Sequence, residues 1–395
     1  MPASLFPCTA GADMLQFMDW TALREHFPVT RRWAYFDHAA VAPLSGAALR
    51  ALQEWAADLA DNGDVRCAFW QHRVDEVRGL AARLLGADPL DVAFVKNTSE
   101  GIGFVAEGFP WQQGDNVVIA QEEYPSNVYP WLNLTGRGVE VRRVPSRGAR
   151  VVLDDLRAAI DGHTRLVSLS FVEFASGFRN NLDAVGELCR RHGILFFVDA
   201  IQGLGVLPLD VQRTPLDALA ADGHKWLLGP EGAGIFYLRR DWVERLHPVS
   251  IGWNSVVGAQ DFARIDFTLK PNAGRWENGT LNVAGIHALG ASLELLLSLG
   301  VPAIMTRVLE LTEYLCERAA SAELEVFSSR HADERSGIVA LTVPGADPHA
   351  LARHCRRKGI ALSVRNGRLR ISPHCYNSTE EIDRLLLALR EPTVS

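Results

Sequence analysis

The residues best placed to do chemistry are a lysine and an aspartate. Lys225 ends the run Leu216-Asp217-Ala218-Leu219-Ala220-Ala221-Asp222-Gly223-His224-Lys225 and is followed by Trp226-Leu227-Leu228-Gly229-Pro230-Glu231-Gly232-Ala233-Gly234. An amine just beyond a buried strand, among glycines that let a ligand or another backbone come close, is desolvated and therefore nucleophilic. Upstream, Gly193-Ile194-Leu195-Phe196-Phe197-Val198-Asp199 is a fully apolar strand that ends in a carboxylate. An amine able to form a Schiff base, with an acid at the end of the neighbouring strand, is what a protein supplies to pyridoxal 5′-phosphate (PLP): the lysine for the aldehyde, the aspartate for the pyridinium nitrogen.

The surrounding pattern predicts how these two residues are brought together. Short apolar runs at Asp91–Lys96, Asn116–Ala120, Val139–Val144, Arg165–Ser170, Ile194–Asp199 and Asp217–Ala221 alternate with helical patterns at Glu100–Gly108, Leu153–Ile160 and Leu182–His192. Strands apolar on both faces belong in a mostly parallel sheet covered by helices. Ligands of such sheets bind at the carboxyl ends of the strands, where Asn97-Thr98-Ser99, Glu122-Glu123-Tyr124, Asp199 and Asp222–Lys225 all fall. Beyond Gly234–Leu238, another strand, 241–279 reads as irregular. From Val283 two long helical patterns run to about Ala319, followed by Gly337–Val343, His349–Lys358, Ile360–Val364, Arg368–Ser372 and Thr379–Leu389 as a smaller α+β unit.

Composition narrows the classes. The 395 residues are 48% hydrophobic and 22% charged with a net charge of −7, which gives no basic footprint for nucleic acid. No run approaches about 18 consecutive apolar residues, and Met1 to Trp20 lacks a basic stretch followed by an apolar one, so neither a membrane span nor secretion is indicated. The six cysteines, Cys8, Cys67, Cys189, Cys316, Cys355 and Cys375, show no CxxC pairing, so neither a zinc site nor a disulfide framework is expected and a reducing cytoplasm fits.

Taken singly, each motif has a plainer reading: a strand-terminal aspartate as a helix N-cap, a lysine after Gly-His as a solvated residue, Arg370 as an ion-pair partner, Tyr124 as a core aromatic. Taken in order, from Tyr35-Phe36-Asp37-His38-Ala39-Ala40 to Tyr376-Asn377-Ser378-Thr379-Glu380-Glu381, they resemble the class V aminotransferase family of PLP enzymes, which includes cysteine desulfurases, isopenicillin N epimerases and kynureninases. The resemblance implies the PLP-dependent transferase fold (fold type I), an α/β fold with a large domain on a mostly parallel sheet and a smaller C-terminal α+β domain. The expected boundaries are 1–35 for an N-terminal segment packing on the small domain, 36–280 for the large PLP-binding domain and 281–395 for the small one.

By the same resemblance Lys225 carries the cofactor, Asp199 pairs with its ring nitrogen, Gln202 hydrogen-bonds its phenolic oxygen and Tyr124 stacks on the ring where desulfurases have a histidine. Thr98 and Ser99, at a helix N-terminus, and His224 are expected at the phosphate. Asp222 stands where the family often has serine, and a carboxylate there must face away or set a different network. Arg370 matches the arginine that holds the substrate α-carboxylate. His38 lies in a segment expected at the mouth of the site. Arg275-Trp276-Glu277-Asn278-Gly279-Thr280 resembles a loop that gives its threonine to the neighbouring subunit, which implies a homodimer with Thr280 and Trp253 contributed across the interface.

For the reaction, the resemblance implies an amino acid handled through an external aldimine and a quinonoid, in an epimerase- or aminotransferase-like way. The alternative is a C–S or β-elimination lyase. Desulfurases that form a persulfide need a cysteine on a loop ahead of the arginine strand, and Gly359–Gly367 contains none. A cofactor-binding regulatory module is a reading of another class; such regulators carry an appended DNA-binding domain, and the stretch before Tyr35 is too short and not basic.

Overall fold

In the computed structural model of this chain, which describes residues 19–391, the apolar runs become a seven-stranded sheet. Its strands are β1 (Val92–Val95), β2 (Asn116–Ala120), β3 (Glu140–Val144), β4 (Thr164–Ser170), β5 (Leu195–Asp199), β6 (Ala218–Asp222) and β7 (Gly234–Leu238). Across the sheet they lie in the order β1-β7-β6-β5-β4-β2-β3. The pairs from β6 to β3 are parallel, and only β7 runs antiparallel to its two neighbours. Successive side chains of a strand point to opposite faces, so Leu195 and Phe197 enter one core while Phe196 and Val198 enter the other. That two-sided burial is why β5 reads as unbroken apolar sequence.

The helices that matter to the site are set by local signals. Asn97 caps the helix Thr98–Gly108 by accepting from the Glu100 N–H, and Asn181 caps Leu182–His192, which stops at Gly193 in the left-handed region with φ 65. Both helices begin or end within two residues of the sequence expectation. Gly101 lies directly against the sheet, where a Cβ would stand 2.6 Å from Ala220 Cβ. The helices Gly46–Asn62 and Cys67–Leu85 have no counterpart in the sequence reading, and both pack on Val283–Leu299.

The packing divides the chain differently from the sequence boundary at 281. Ile286, Leu289, Leu293 and Leu296 of Val283–Leu299 share a core with the central sheet, whereas Ala34 and Phe36 join the core of the C-terminal unit. The reason is pairing: Ala34–Tyr35 runs parallel to Ile360–Ala361, so the chain enters the C-terminal unit before it builds the large sheet. Phe27 stacks on Tyr376 with ring centroids 3.9 Å apart and Arg24 pairs with Glu381 at 2.9 Å, so the described part of the N-terminal segment also packs on C-terminal residues. Residues 1–18 lie outside the described part. The C-terminal sheet has four strands, β8 (Glu325–Val326), β9 (Val339–Thr342), β10 (Ser363–Arg365) and β11 (Arg368–Ile371), in the order β8-β9-β11-β10. The single strand expected at Ile360–Val364 is therefore two short ones in different sheets. No single helix among the described residues is long and apolar enough to cross a membrane.

The fit of Gly101 against Ala220 is open to test within one helix. Gly101→Ala is expected to lower stability by about 1–3 kcal/mol through overpacking, while Gly103→Ala, where nothing lies within 4 Å of an added Cβ, leaves it unchanged or raises it. Urea unfolding of the two variants checks this, and equal effects would contradict the packing.

Candidate active site

The carboxyl ends of β1, β2, β4, β5 and β6 open on one cleft of about 400 Å³. Lys225, Asp199, Gln202, Tyr124, Thr98, Ser99, His224, Asp222 and Arg370 all line it, as do Ser126, Phe174 and Arg365, which the sequence reading did not single out. Register explains the convergence. Ser170 is the parallel partner of Asp199, and Asp199 is the partner of Ala220, so the ends of β4, β5 and β6 are level, and the chain leaves β6 into Gly223-His224-Lys225.

Lys225 and Asp199 are both buried, and burial is the first cause of both shifts. It lowers the amine to about 8, with the Asp199 charge opposing, and raises the carboxyl to about 6, with the Ile201 N–H and Lys225 opposing. The amine therefore loses its proton far more readily than a solvated lysine. Lys225 Nζ stands 5.5 Å from the centroid of the Tyr124 ring, and that ring meets Phe174 edge-on at 5.3 Å. Gln202 is held at both ends: Nε2 donates to the Ala39 carbonyl and Oε1 accepts from Trp226 Nε1, each at 3.0 Å. One N–H of its amide is left for a ligand.

At the β1 end, the first turn of the Thr98–Gly108 helix directs unpaired backbone N–H groups at the cleft. Thr98 Oγ1 accepts from the Asp222 N–H at 3.0 Å, and Ser99 Oγ donates to Ser126 Oγ at 2.8 Å. Asp222 does not face away. Its Oδ1 accepts from the Gly223 N–H at 2.7 Å and its Oδ2 lies 2.8 Å from His224 Nδ1, so it is engaged locally by the imidazole and a backbone dipole. A helix N-terminus, two hydroxyls and a histidine at one end suit a phosphate; a buried amine beside a buried carboxylate at the centre suits an aldehyde and a pyridine nitrogen; an aromatic ring suits the flat face between them. This donor set fits PLP.

Arg370 lies at the other end, almost fully buried. Its Nε donates to Ser363 Oγ at 3.2 Å, Nη1 to the Phe174 carbonyl at 3.1 Å and Nη2 to Asp37 Oδ1 at 3.4 Å. Desolvation lowers it to about 10, with Asp37 opposing. His38 does not reach the cleft. Its ring is buried between the Ser372 carbonyl (2.8 Å from Nδ1) and the Tyr376 hydroxyl (2.7 Å from Nε2), and burial depresses it to about 4. The expectation of His38 at the mouth fails because its neighbour Asp37 takes the inward position behind Arg370. Thr280 and Trp253 lie outside the cleft of their own chain, Thr280 exposed and Trp253 45% exposed. Phe174 and Ser126 were missed because nothing in their own neighbourhood marks them, and Arg365 was missed as well. For Arg365 a signal exists: Asn366-Gly367, both at positive φ, makes the tight hairpin that returns the chain to Arg370.

None of the described cysteines lines the cleft. Cys67 is exposed, and Cys189, Cys316, Cys355 and Cys375 are buried with their thiols pushed up, Cys375 to about 12. Cys8 lies outside the described residues.

A family model for class V aminotransferases matches residues 34–385. The chain belongs to that family. Among curated proteins, a probable cysteine desulfurase of Methanothermobacter thermautotrophicus is 31% identical over 95% of this chain and 98% of its own length. Among solved structures, the apo cysteine desulfurase of Thermococcus onnurineus superposes with a TM-score of 0.86 at 26% identity, covering 93% of this chain and 96% of that one. A cystine C–S lyase in complex with its product cysteine persulfide gives a TM-score of 0.86 at 25% identity over 92% and 98% of the two chains. The same lyase, in a lysine-to-alanine variant with glycine covalently linked to the PLP cofactor, gives 0.87 over 93% and 98% at 25% identity. The fold of this class V member is thus that of the PLP-dependent desulfurases.

The lowered pKa of Lys225 is measurable without turnover. Acylation of the cofactor-free protein, read at Lys225 by mass spectrometry, is expected to rise with a midpoint near pH 8, whereas exposed lysines follow about 10.4. Asp199→Asn moves the midpoint lower still, because that carboxylate is what holds the proton on. A wild-type midpoint near that of exposed lysines would mean that the amine is solvated.

Proposed function

We propose that this desulfurase-like class V enzyme, whose cofactor is PLP, cleaves the C–S bond of a sulfur-containing amino acid by β-elimination and releases the sulfur product directly. The observation that carries the reading is a cleft with a low-pKa lysine, a buried aspartate and a buried arginine, and no cysteine among the described residues that line it. Relatives named as cysteine desulfurases and the cystine C–S lyase among the structural neighbours support the substrate class. They move the weight from epimerisation and transamination, which the sequence favoured, to elimination. The first steps are common to all three.

When bound, PLP supplies a carbonyl for the substrate amine and a sink for charge released at Cα. Lys225 Nζ, largely neutral above pH 8, takes the Cα proton. The C–H electron pair becomes the Cα–Cβ double bond, the C–S pair leaves with sulfur, and hydrolysis of the unsaturated amine gives pyruvate and ammonia. Asp199, as a carboxylate, holds the proton of the ring nitrogen, and Gln202 offers its remaining N–H to the phenolic oxygen. Thr98, Ser99 and His224 hold the phosphate, with Ser126 bonded to Ser99 behind them. Tyr124 covers the ring. Arg370 keeps two of its five N–H groups for the substrate α-carboxylate.

We further propose a homodimer in which Thr280 and Trp253 serve the partner copy's site. Val249, Ile251, Trp253, Val257, Phe262, Ile265 and Phe267 are all exposed within one short stretch, more apolar surface than a monomer usually leaves in water. The five described cysteines are unpaired, which supports a reducing compartment such as the cytoplasm.

A visible absorption band in the PLP-loaded protein that Lys225→Ala removes, together with pyruvate and sulfide or persulfide formed from cystine or cysteine, is the expected outcome. Racemised substrate or a keto acid retaining sulfur would instead favour the other two reactions. Arg370→Lys, which keeps a charge beside Asp37 but loses the fork, is expected to raise KM roughly ten- to a hundredfold, the equivalent of one charge-assisted hydrogen bond.

A further inference from the structure

The cleft holds two guanidinium groups, and they are in different states. Arg370 is almost fully buried and spends three donors on Ser363, the Phe174 carbonyl and Asp37. Arg365 is half-buried, and its Nη1 donates at 2.8 Å to the carbonyl of its own neighbour Val364; it makes no ion pair among the described residues. Yet it lines the same cleft, and its charge is felt at Lys225, Arg370 and Asp37.

The hairpin fixes how far apart the two act. Ser363 is the cross-strand partner of Arg370, and Arg365 the partner of Arg368, so Ser363, Arg365 and Arg370 share one face of the β10–β11 pair. The bond from Arg370 Nε to Ser363 Oγ places Arg370 on that face beside Ser363. Arg365 then stands two residues along the strand from Ser363, about 7 Å. An acid on Arg370 and another on Arg365 would belong to one small molecule with a short saturated chain between them. Tyr124, Phe174, Val41 and Ile201 line the same cleft and suit methylene or sulfur in such a chain, since thioether and disulfide sulfur pack well against aromatic edges.

We propose that Arg365 is the specificity-determining residue of this cleft and binds a second anionic group, carried beyond Cβ of the amino-acid substrate. The substrate class is then an α-amino acid with an apolar or sulfur-containing spacer and a terminal acid. This rests on the PLP and amino-acid reading above. The Arg365 guanidinium, already shielded on one side and paired with no carboxylate, gains a charge-assisted contact from such a ligand, which a neutral side chain of the same shape cannot offer.

The test uses the PLP-loaded protein and reads binding from the shift of its visible band. Aspartate, glutamate and 2-aminoadipate are each titrated against their side-chain amides, so three spacer lengths are sampled at constant shape. In the wild type at least one acid is expected to bind tenfold or more tightly than its amide. Arg365→Gln is expected to reduce that ratio to below about threefold, and Arg365→Lys to retain most of it, which separates loss of charge from loss of fold. An acid preference that survives in Arg365→Gln, or no preference at any length in a wild type that shows the band, overturns the assignment. A wild type that shows no band after cofactor addition overturns the functional reading itself.

Discussion

Two groups that carry opposite charge in water are held together at the dry edge of a parallel sheet, and the burial of both outweighs their attraction. Lys225 falls to about 8 and Asp199 rises to about 6, each toward neutrality. The rest of the site depends on this. A lysine that stayed fully charged would not react with a carbonyl, and one left in a wet cleft would stay charged. The sheet excludes water by covering both faces with helices, while Asp199 sits at the end of β5 because the alternating apolar residues of that strand commit it to the centre of the sheet.

Behind Asp199 the protein keeps further acids. Glu123 accepts from both the N–H and the hydroxyl of Ser170, and Glu173 accepts from Asn180. Burial raises both, Glu173 to about 7; the charges of Glu173 and Asp199 push Glu123 the same way, and those of Asp199 and Glu122 push Glu173. Each immediately precedes a pocket residue in the chain, Glu123 before Tyr124 and Glu173 before Phe174, so their hydrogen bonds anchor the two aromatic walls to the sheet edge. Arg370 performs a similar task between the two cores. Its side chain reaches from the C-terminal sheet to the Phe174 carbonyl beyond the end of β4, with Asp37, just after Ala34–Tyr35, as its counter-charge.

The central sheet was legible because most of its strands are buried on both faces and the helices Thr98–Gly108 and Leu182–His192 carry their own caps: β2 and β7 fall on the predicted residues, and the others within two. Period and caps are local, so sequence carries them. The helices Gly46–Asn62 and Cys67–Leu85 escaped because their buried faces are defined by a helix more than two hundred residues away, Val283–Leu299. The same long-range packing moves the division between the cores away from 281. His38 misled because a histidine beside an aspartate looks like a site residue, whereas the register of the Ala34–Tyr35 pairing turns Asp37 toward Arg370 and seals the imidazole against Tyr376.

By itself the sequence determined the positions of Lys225, Asp199 and the Asn97–Ser99 turn, and with them the class of cofactor, since these sit at strand and helix ends whose positions follow from local pattern. Tertiary structure decided what surrounds them. It brought Ser126, Phe174 and Arg365 into the cleft, occupied three of the donors of Arg370 and kept every described cysteine away. Those facts depend on contacts between segments far apart in the chain, and no local spacing encodes which of the arginines on one hairpin will find its counter-ion within the fold.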